Sequence, residues 1–445
     1  AIRQRENRSE EYRQAYVEYQ SRLKARVANH EITYEWKDGE MWLDSKMILQ
    51  NRNQEMLSEI VLYLNPTLEI YSLKEADSDV SYHRDLQVII LERQLLPDDS
   101  ISLHISYKGK IDEAICYLDV PFEERHNVGR YDPGMRRGLF NFGTRFAYLE
   151  ENYTLLHPEV LWYPVAVPPV NMVSPYAREI NFTEYTLRVK TWEGQQVLSQ
   201  GVPEYGTGEV SFKNRQKLSG ITLCIGDYHK KEIEFGGLQL EFYYFPGHEL
   251  FFEGYTEIQG EKLSKVLTML KGRLEARIGR SYPFQKLMLV ESPLSFVSFL
   301  RKWKTGSEFV QPEFVFFNER VATISSYVPM TIAKKLAKER QEGLDDPEGI
   351  YSVERMGLQS NSMQLQQKLH DILPMYYDYT GFLSSGTYPA ANMLLSKMFT
   401  SKKKYTIGNA GLRPEDMLAI DCLQQSSLRG VLSNDSLPDK VQARI

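Results

Sequence analysis

The first segment of the chain, residues 9–29, has the hydrophobic spacing of a helix with one apolar side. Its apolar residues recur every three or four positions, at Tyr12, Tyr16, Tyr19, Leu23 and Val27. Ser9 is the expected N-cap, and acidic Glu10 and Glu11 follow it in the first turn, where they favour the positive end of the helix dipole. The pattern favours a helix packed on the body of a domain; the alternative is a stalk that continues from a membrane segment upstream.

The pattern then changes from helical spacing to alternation of apolar and polar residues. Short apolar runs lie at residues 31–36, 47–49, 60–64, 86–91, 101–107, 183–190, 220–226 and 238–245. Turn sequences such as Asp38-Gly39 and Asn65-Pro66 separate the early runs, and a loop rich in Gly and Arg occupies residues 129–143. Alternating short strands joined by turns predict an antiparallel β-sandwich over residues 30–245.

After residue 246 the pattern indicates an α/β and then a helical region. A helix is predicted over residues 260–278, and strands are predicted at residues 286–290 and 314–317. Further helices are predicted at residues 331–342, 362–377, 389–399 and 414–425. Strands first and helices later imply separate domains. The expected organisation is an N-terminal helix (1–29), a β domain (30–245) and a helix-rich α/β domain (246–445).

The composition and charge of the chain argue against several classes of function. The 445 residues carry a net charge of −6, which argues against nucleic-acid binding because a phosphate-binding surface needs a basic stripe. Three cysteines lie far apart and form no Cys-x-x-Cys pair. No apolar run reaches the roughly 18 residues of a membrane-spanning helix. Because the sequence opens on Ala1 and stops in mid-pattern at residues 440–445, we expect a piece of a larger protein.

The order of these segments resembles the aminopeptidase N family of zinc metallopeptidases. The stretches that carry the resemblance are residues 34–51 followed by 58–66, residues 185–190 followed by 197–201, residues 223–228, and residues 279–286. The last stretch, Gly-Arg-Ser-Tyr-Pro-Phe-Gln-Lys, resembles the family's Phe-Gly-x-Tyr-Pro-x-x-Lys but has one extra residue between Gly279 and Tyr282. Over residues 30–320 the resemblance implies an N-terminal β domain followed by a thermolysin-like α/β domain.

The family's active-site motifs are missing from this sequence. Residues 314–319, Phe-Val-Phe-Phe-Asn-Glu, stand where a Gly-x-Met-Glu-Asn strand should anchor the substrate. A His-Glu-x-x-His helix should supply two zinc ligands and a general base, yet no two of the eight histidines are four residues apart. In the two His-Glu dipeptides, at His30 and His248, the second ligand position holds Tyr34 and Phe252. We therefore expect no catalytic residue, no bound metal and no cofactor.

Four arginines form a candidate site for an anion or a partner. They lie in and beside the Gly-rich loop and are Arg130, Arg136, Arg137 and Arg145. Such a group can bind an anion or a partner, but structural ion pairing is the favoured interpretation. Neither a Gly-x-Ser-x-Gly elbow nor a P-loop occurs, so hydrolase and nucleotide-binding functions of those kinds have no support.

A narrower resemblance points to transport. The charged helix before the β domain and the segment at residues 386–394 are similar to the aminopeptidase N-like region that some bacterial ABC-type exporter permeases, especially those of Bacteroidetes, carry outside the membrane. This implies a periplasmic domain of an inner-membrane protein, with the transmembrane part of the same protein, a transporter ATPase subunit and a peptide or protein ligand as partners. The leading hypothesis is a non-catalytic binding module; the alternatives are an active metallopeptidase with unrecognised or absent ligands, and a cell-surface scaffold.

Overall fold

The computed structural model describes residues 2–116, 118–119, 145–169, 181–190, 194–247, 264, 268, 271–272, 275, 281, 284–293, 296, 310–311 and 313–318. These residues divide into two compact units. The first contains the described residues up to Asp227 together with Phe296, and the second contains the others from Tyr228 onward. The domain boundary predicted after residue 245 falls inside the second unit, while the helices predicted beyond residue 331 lie outside the described residues.

The N-terminal helix, α1, spans Ile2–Tyr19 and packs on the first unit. Tyr12, Ala15 and Tyr19 are buried, which agrees with the packed helix rather than with a free stalk. Ser9 lies inside the helix and is buried, so its prediction as the N-cap was wrong. The sequence pattern missed this start because residues 2–8 carry charges on all sides and show no apolar face.

The described strands are β1 (Arg26–Lys37), β2 (Glu40–Gln50), β3 (Ile60–Tyr63), β4 (Leu68–Glu75), β5 (Ser78–Asp79), β6 (Tyr82–Asp85), β7 (Val88–Leu91), β8 (Ser100–Gly109), β9 (Tyr148–Glu150), β10 (Tyr153–Leu156), β11 (Glu184–Lys190), β12 (Gln196–Leu198), β13 (Val202–Gly206), β14 (Glu209–Lys213), β15 (Leu223–Gly226), β16 (His229–Phe235), β17 (Leu238–Tyr244), β18 (Lys286–Ser292), β19 (Val310–Gln311) and β20 (Phe314–Asn318). Two short 3-10 turns, η1 (Glu113–Ile115) and η2 (Pro158–Val160), interrupt them.

The prediction that the first helix continues to residue 29 was wrong, because β1 already begins at Arg26. Val27 fits the four-residue spacing of a helix face, but its backbone is held by distant residues. Its carbonyl oxygen accepts hydrogen bonds from Thr183 Oγ1 at 2.9 Å and from Asn181 Nδ2 at 3.0 Å. Tertiary pairing therefore overrides the local helical pattern.

The largest sheet of the first unit has the strand order β13-β14-β11-β1-β2-β8-β4-β5. The hairpin from β1 to β2 turns at Asp38 and Gly39, both with positive φ, as the Asp-Gly sequence predicts. One pair, β1 with β11, is parallel, so the predicted all-antiparallel sheet needs that correction. Strands so far apart in sequence are joined by long connections, which allow either direction.

Two smaller sheets complete the first unit, with the orders β12-β15-β10-β9 and β3-β7-β6. Large aromatic side chains that are at most 1% exposed fill the core, among them Tyr34, Tyr63, Tyr107, Trp162 and Tyr163. The outward face of the large sheet carries cross-strand ion pairs such as Glu35 with Lys190 at 2.7 Å. This division into an apolar inner face and a charged outer face is the pattern predicted for a sandwich.

The second unit contains a mixed sheet with the order β16-β17-β18-β20-β19. Strands β17, β18 and β20 run parallel, while the two edge strands are antiparallel. Described positions between β17 and β18 (264, 268, 271, 272 and 275) are helical, as expected of a crossover between parallel strands. The strands predicted at 286–290 and 314–317 are confirmed as β18 and β20. No helix in the described part of the chain is long and apolar enough to span a membrane.

Candidate functional site

Arg145 is the one arginine of the predicted anion site that lies within the described residues. Its Nε donates to Glu113 Oε1 at 2.9 Å, and a second nitrogen lies 3.8 Å from Glu150 Oε1. Its guanidinium also lies 4.7 Å from the centre of the Tyr148 ring. Two carboxylates thus balance the charge of Arg145, so this arginine forms structural ion pairs. Arg130, Arg136 and Arg137 lie outside the described residues, so an anion site formed by all four stays a prediction.

His30 and Ser45 form a histidine–hydroxyl pair in the core of the first unit. His30 Nε2 lies 3.0 Å from Ser45 Oγ, which in turn lies 3.2 Å from the Tyr107 hydroxyl. By residue type this resembles a base and a nucleophile. Ser45 and Tyr107 have no solvent exposure and His30 is 1% exposed, so no substrate can contact them. Burial lowers the pKa of His30 to about 3, and the pair is a neutral structural network.

His157 is a second buried histidine of the same unit. Its Nε2 donates to the carbonyl oxygen of Phe146 at 2.8 Å, and its ring packs at 6.0 Å on Phe296. Burial lowers its pKa to about 4, while the hydrogen bond to Phe146 opposes that shift. Like His30, it is a hydrogen-bonded core residue and not a solvent-accessible ligand.

A third constellation lies on the outer face of the large sheet. His104 Nε2 is 3.2 Å from Asp44 Oδ1, and Ser106 Oγ donates to the same oxygen at 2.5 Å. Histidine and serine both contact the carboxylate instead of each other. The serine therefore has no histidine as its base, and the group lacks the serine–histidine–carboxylate order that a nucleophilic triad requires.

The second unit holds a group of four charged side chains, of which two are buried carboxylates, one is an exposed amine and one is a half-buried amine. We call it the charged layer and define it as Lys230, Glu241, Lys286 and Glu313. Glu241 is 7% and Glu313 is 5% exposed. Lys230 Nζ pairs with Glu241 Oε1 at 2.9 Å, and Glu241 Oε2 accepts a hydrogen bond from the Tyr243 hydroxyl at 3.1 Å. Buried carboxylates are retained when they are paired in this way.

Strand register places Lys286 on the same face as Glu241. In the parallel pair, Gln239 lies beside Lys286 and Glu241 beside Met288, and side chains two residues apart point to one face. Burial lowers the pKa of Lys286, whereas the charges of Glu313 and Glu241 act in the opposite direction. Because Lys230 is exposed and paired with a buried carboxylate, the layer can hold a charged ligand group at that amine, which makes it the best candidate site in the described residues.

The sequence analysis did not single out the charged layer. The sequence did contain an indication of it, because Glu241 interrupts the apolar run of β17 and Lys286 begins that of β18. A charge within a strand that is buried on both faces needs a partner. Glu313 carried no such signal, because it precedes β20 in a turn with a φ of 57°.

Glu291 is a further buried carboxylate of the second unit, at the C-terminal end of β18, with no solvent exposure. Its Oε2 accepts the backbone N–H of Phe245 at 2.7 Å, and its own carbonyl oxygen accepts the Tyr228 hydroxyl at 3.0 Å. These bonds fix the end of β17 beside β18. Glu291 is therefore a structural carboxylate that holds the sheet next to the charged layer.

Metal-binding groups and cavities add little within the described ranges. No three His, Cys, Asp or Glu side chains there lie close enough together to hold a metal ion. Cys116 and Cys224 are buried thiols. A cavity of about 10 Å³ beside Tyr34, Thr154 and Lys190 has room for one water molecule.

No protein-family model and no curated protein sequence matches this chain. Among solved structures, an M1 zinc metallopeptidase from Deinococcus radiodurans is similar with a TM-score of 0.49 and 14% identity, covering 92% of this chain and 76% of that one. A two-domain M1 zinc metallopeptidase mutant bound to L-tryptophan matches with a TM-score of 0.44, 14% identity and coverages of 95% and 94%. The structural neighbours are therefore M1 zinc metallopeptidases of low sequence identity.

Proposed function

We propose that this chain is a non-catalytic, peptidase-like domain that binds a peptide or protein ligand within an ABC-type transport protein. In this proposal it lies on the periplasmic side of the inner membrane. Its partners are the transmembrane part of the same protein and a transporter ATPase subunit. The alternative of an active metallopeptidase has no residue in its favour, and the alternative of a cell-surface scaffold differs only in the absence of transport partners.

The spacing of the histidines carries the non-catalytic part of the proposal. Zinc peptidases of the resembled family need two histidines one helical turn apart, and none of the eight histidines has such a partner. The His-Glu dipeptide at His30 lies in β1, where neighbouring side chains point to opposite faces. His30 points into the core against Ser45, while Glu31 points outward to Arg188 at 3.3 Å. The two side chains therefore cannot act at one metal.

The charged layer supports the binding part. Its exposed member, Lys230, is held by its ion pair with the buried Glu241. An amine positioned in this way can bind the C-terminal carboxylate or an acidic side chain of a peptide. The transport part rests on the resemblance of residues 386–394 and of the charged helix before the sandwich to the exporter permeases.

Peptide binding without cleavage tests the proposed role. Calorimetry with short peptides of both net charges, followed by mass spectrometry of the same samples, separates binding from hydrolysis. We expect saturable binding of uncleaved peptide, weakened about tenfold by Glu241→Gln, since a charge-assisted contact contributes roughly 1.5–3 kcal/mol. Glu204→Gln, an exposed glutamate of the first unit, is the control and should bind as the unchanged chain does. Absence of saturable binding, or equal weakening by both variants, contradicts the binding role.

The transport part has its own test. The first observation is whether the natural reading frame contains membrane-spanning helices beside this segment. The second is whether the full-length product fractionates with membranes and copurifies with an ATPase subunit. Flanking helices with copurification are expected. Their absence would leave the scaffold alternative and contradict the transport role.

A further inference from the structure

Asp112 connects α1 to the body of the first unit. Its Oδ2 accepts a hydrogen bond from the Tyr12 hydroxyl at 2.9 Å and pairs with an Arg8 nitrogen at 2.8 Å. The Asp112 side chain is 8% exposed, whereas Arg8 is 50% exposed, so the carboxylate is largely shielded from water but the arginine is not. Gln87 Nε2 donates to the Tyr12 carbonyl oxygen at 2.7 Å and so holds the backbone of the same residue. Tyr12 is therefore held from both ends.

The same carboxylate organises the turn that follows it. Asp112 Oδ1 accepts the backbone N–H of Ala114 at 3.0 Å and so caps η1. The buried side chain of Asn65 holds the Asp112 backbone, accepting from its N–H at 3.1 Å and donating to its carbonyl oxygen at 3.2 Å. Asp112 is therefore fixed in one orientation, with one oxygen on α1 and the other on η1.

Glu113, the next residue, performs a second fixing role. Its Oε1 accepts Arg145 Nε at 2.9 Å and its Oε2 accepts the backbone N–H of Phe146 at 2.6 Å. Phe146 is held in turn by His157 through its carbonyl oxygen at 2.8 Å. We call the contacts of Glu113 with Arg145 and Phe146 the clamp. The clamp fixes the chain just before β9.

We propose that α1 is a strap whose docking sets the stability of the clamp through Asp112 and Glu113. Both carboxylates belong to one three-residue turn and its cap, in which few backbone torsions separate the two side chains. Release of α1 removes the contacts of Arg8 and Tyr12 that orient Asp112, and the cap and Glu113 loosen with it. A displacement of α1 is thereby transmitted to Arg145. Because such coupling is reciprocal, loss of the clamp should also weaken the docking of α1 on the first unit.

Hydrogen exchange of the whole chain, measured by mass spectrometry, tests the strap. Asp112→Asn is the informative variant, because asparagine still caps η1 through its side-chain oxygen but cannot pair with Arg8. We expect exchange to rise about fivefold or more both in α1 and at Phe146–Glu150, which is the usual lower range of coupling between linked elements. Glu113→Gln should raise exchange in the same two segments, because it weakens the contacts of the clamp itself.

Two further variants keep the inference falsifiable if Asp112→Asn disturbs folding. The double variant Arg8→Ala/Tyr12→Phe removes the two contacts of α1 with Asp112 without altering η1. It should raise hydrogen exchange in the same two segments. Arg13→Ala, which removes the pairing with Glu10 within α1 at 2.6 Å, is the control and should leave Phe146–Glu150 unchanged. The strap is overturned if α1 exchanges faster while Phe146–Glu150 keeps its protection, or if neither segment responds to loss of the Asp112 contacts.

Discussion

His30 Nε2 and Ser45 Oγ lie 3.0 Å apart, on adjacent strands and inside the core of the sandwich. The two residue types are those of a catalytic pair, but the histidine is neutral and closed off from solvent. Its ring packs against Tyr163 and Tyr185, with centroids 5.5 Å and 5.8 Å away. The burial that makes this pair useless for catalysis makes it a determinant of stability.

The buried histidines predict loss of stability in mild acid. Burial lowers the pKa of His30 to about 3 and of His157 to about 4, below the ordinary value of 6.5. The unfolded chain therefore binds protons first as the pH falls from 6.5 toward 4. Each histidine should reduce the free energy of unfolding by up to about 1.4 kcal/mol per pH unit in that window.

Urea unfolding at several pH values measures this dependence. The slope should become shallower in His30→Gln and in His157→Gln, even if the variants are less stable overall. His83→Gln, which changes an exposed histidine, should keep the original slope. A slope that no buried-histidine variant changes would show that other groups cause the acid sensitivity.

The hairpin from β13 to β14 offers a matched pair of glycines. Gly201 has a φ of 97°, and a Cβ built there would lie 2.6 Å from the carbonyl oxygen of Lys213. Gly208 has a φ of 71° and open space around the same position. Gly208→Ala should cost about 1 kcal/mol for the left-handed backbone alone. Gly201→Ala should cost about 3 kcal/mol or more, since backbone must also move. Urea unfolding measures both losses. Equal shifts of the urea midpoint in the two variants would contradict the close approach of Gly201 to the Lys213 backbone.

Asn65 should be among the most sensitive polar residues of the first unit. Its side chain has no solvent exposure and donates to the carbonyl oxygens of Val160, at 2.8 Å, and Asp112. Asn65→Ala removes the donor to the Val160 carbonyl oxygen and one of the two donors to the Asp112 carbonyl oxygen, which also accepts from Ile115 N–H, at about 1–3 kcal/mol for a buried group that loses its partner. We expect a loss near 3 kcal/mol in urea unfolding, against less than about 0.5 kcal/mol for the exposed control Gln54→Ala. A loss equal to that of the control would contradict the assigned hydrogen bonds.

Lys286 gives a test of the charged layer itself. Its pKa is lowered by burial, while Glu313 and Glu241 raise it. Removing one raising charge with Glu241→Gln should therefore lower the pKa of Lys286 further. NMR titration of the chain after reductive methylation of its lysines with labelled formaldehyde reports this pKa. An unchanged or higher value in Glu241→Gln, with Glu204→Gln as the control, would place Lys286 outside the layer.

Local features of the fold were predictable from sequence. The turn at Asp38 and Gly39 was predicted because Asp-Gly suits two consecutive positive φ angles, and both are observed. Strands β18 and β20 were predicted because their short apolar runs are bounded by polar residues. In each case the residues that determine the structure are adjacent in sequence.

Features that depend on distant residues were not predictable. The end of the first helix was misplaced because Val27 is bound by Asn181 and Thr183, which lie far along the chain. The partner of Arg145 was equally hidden, since Glu113 precedes it by more than thirty positions. Much of the charged layer arises in the same way, from strands that meet only after folding.

The central claim, that the chain does not act as a zinc peptidase, is tested most directly by its zinc content together with its peptidase activity. Elemental analysis after equilibration with zinc and removal of the excess, followed by assays with aminoacyl anilides of several side chains, gives both on one sample. The spacing of the histidines predicts clearly less than one zinc per chain and no cleavage that a chelator abolishes. One zinc per chain with chelator-sensitive cleavage of the anilides would contradict the proposal.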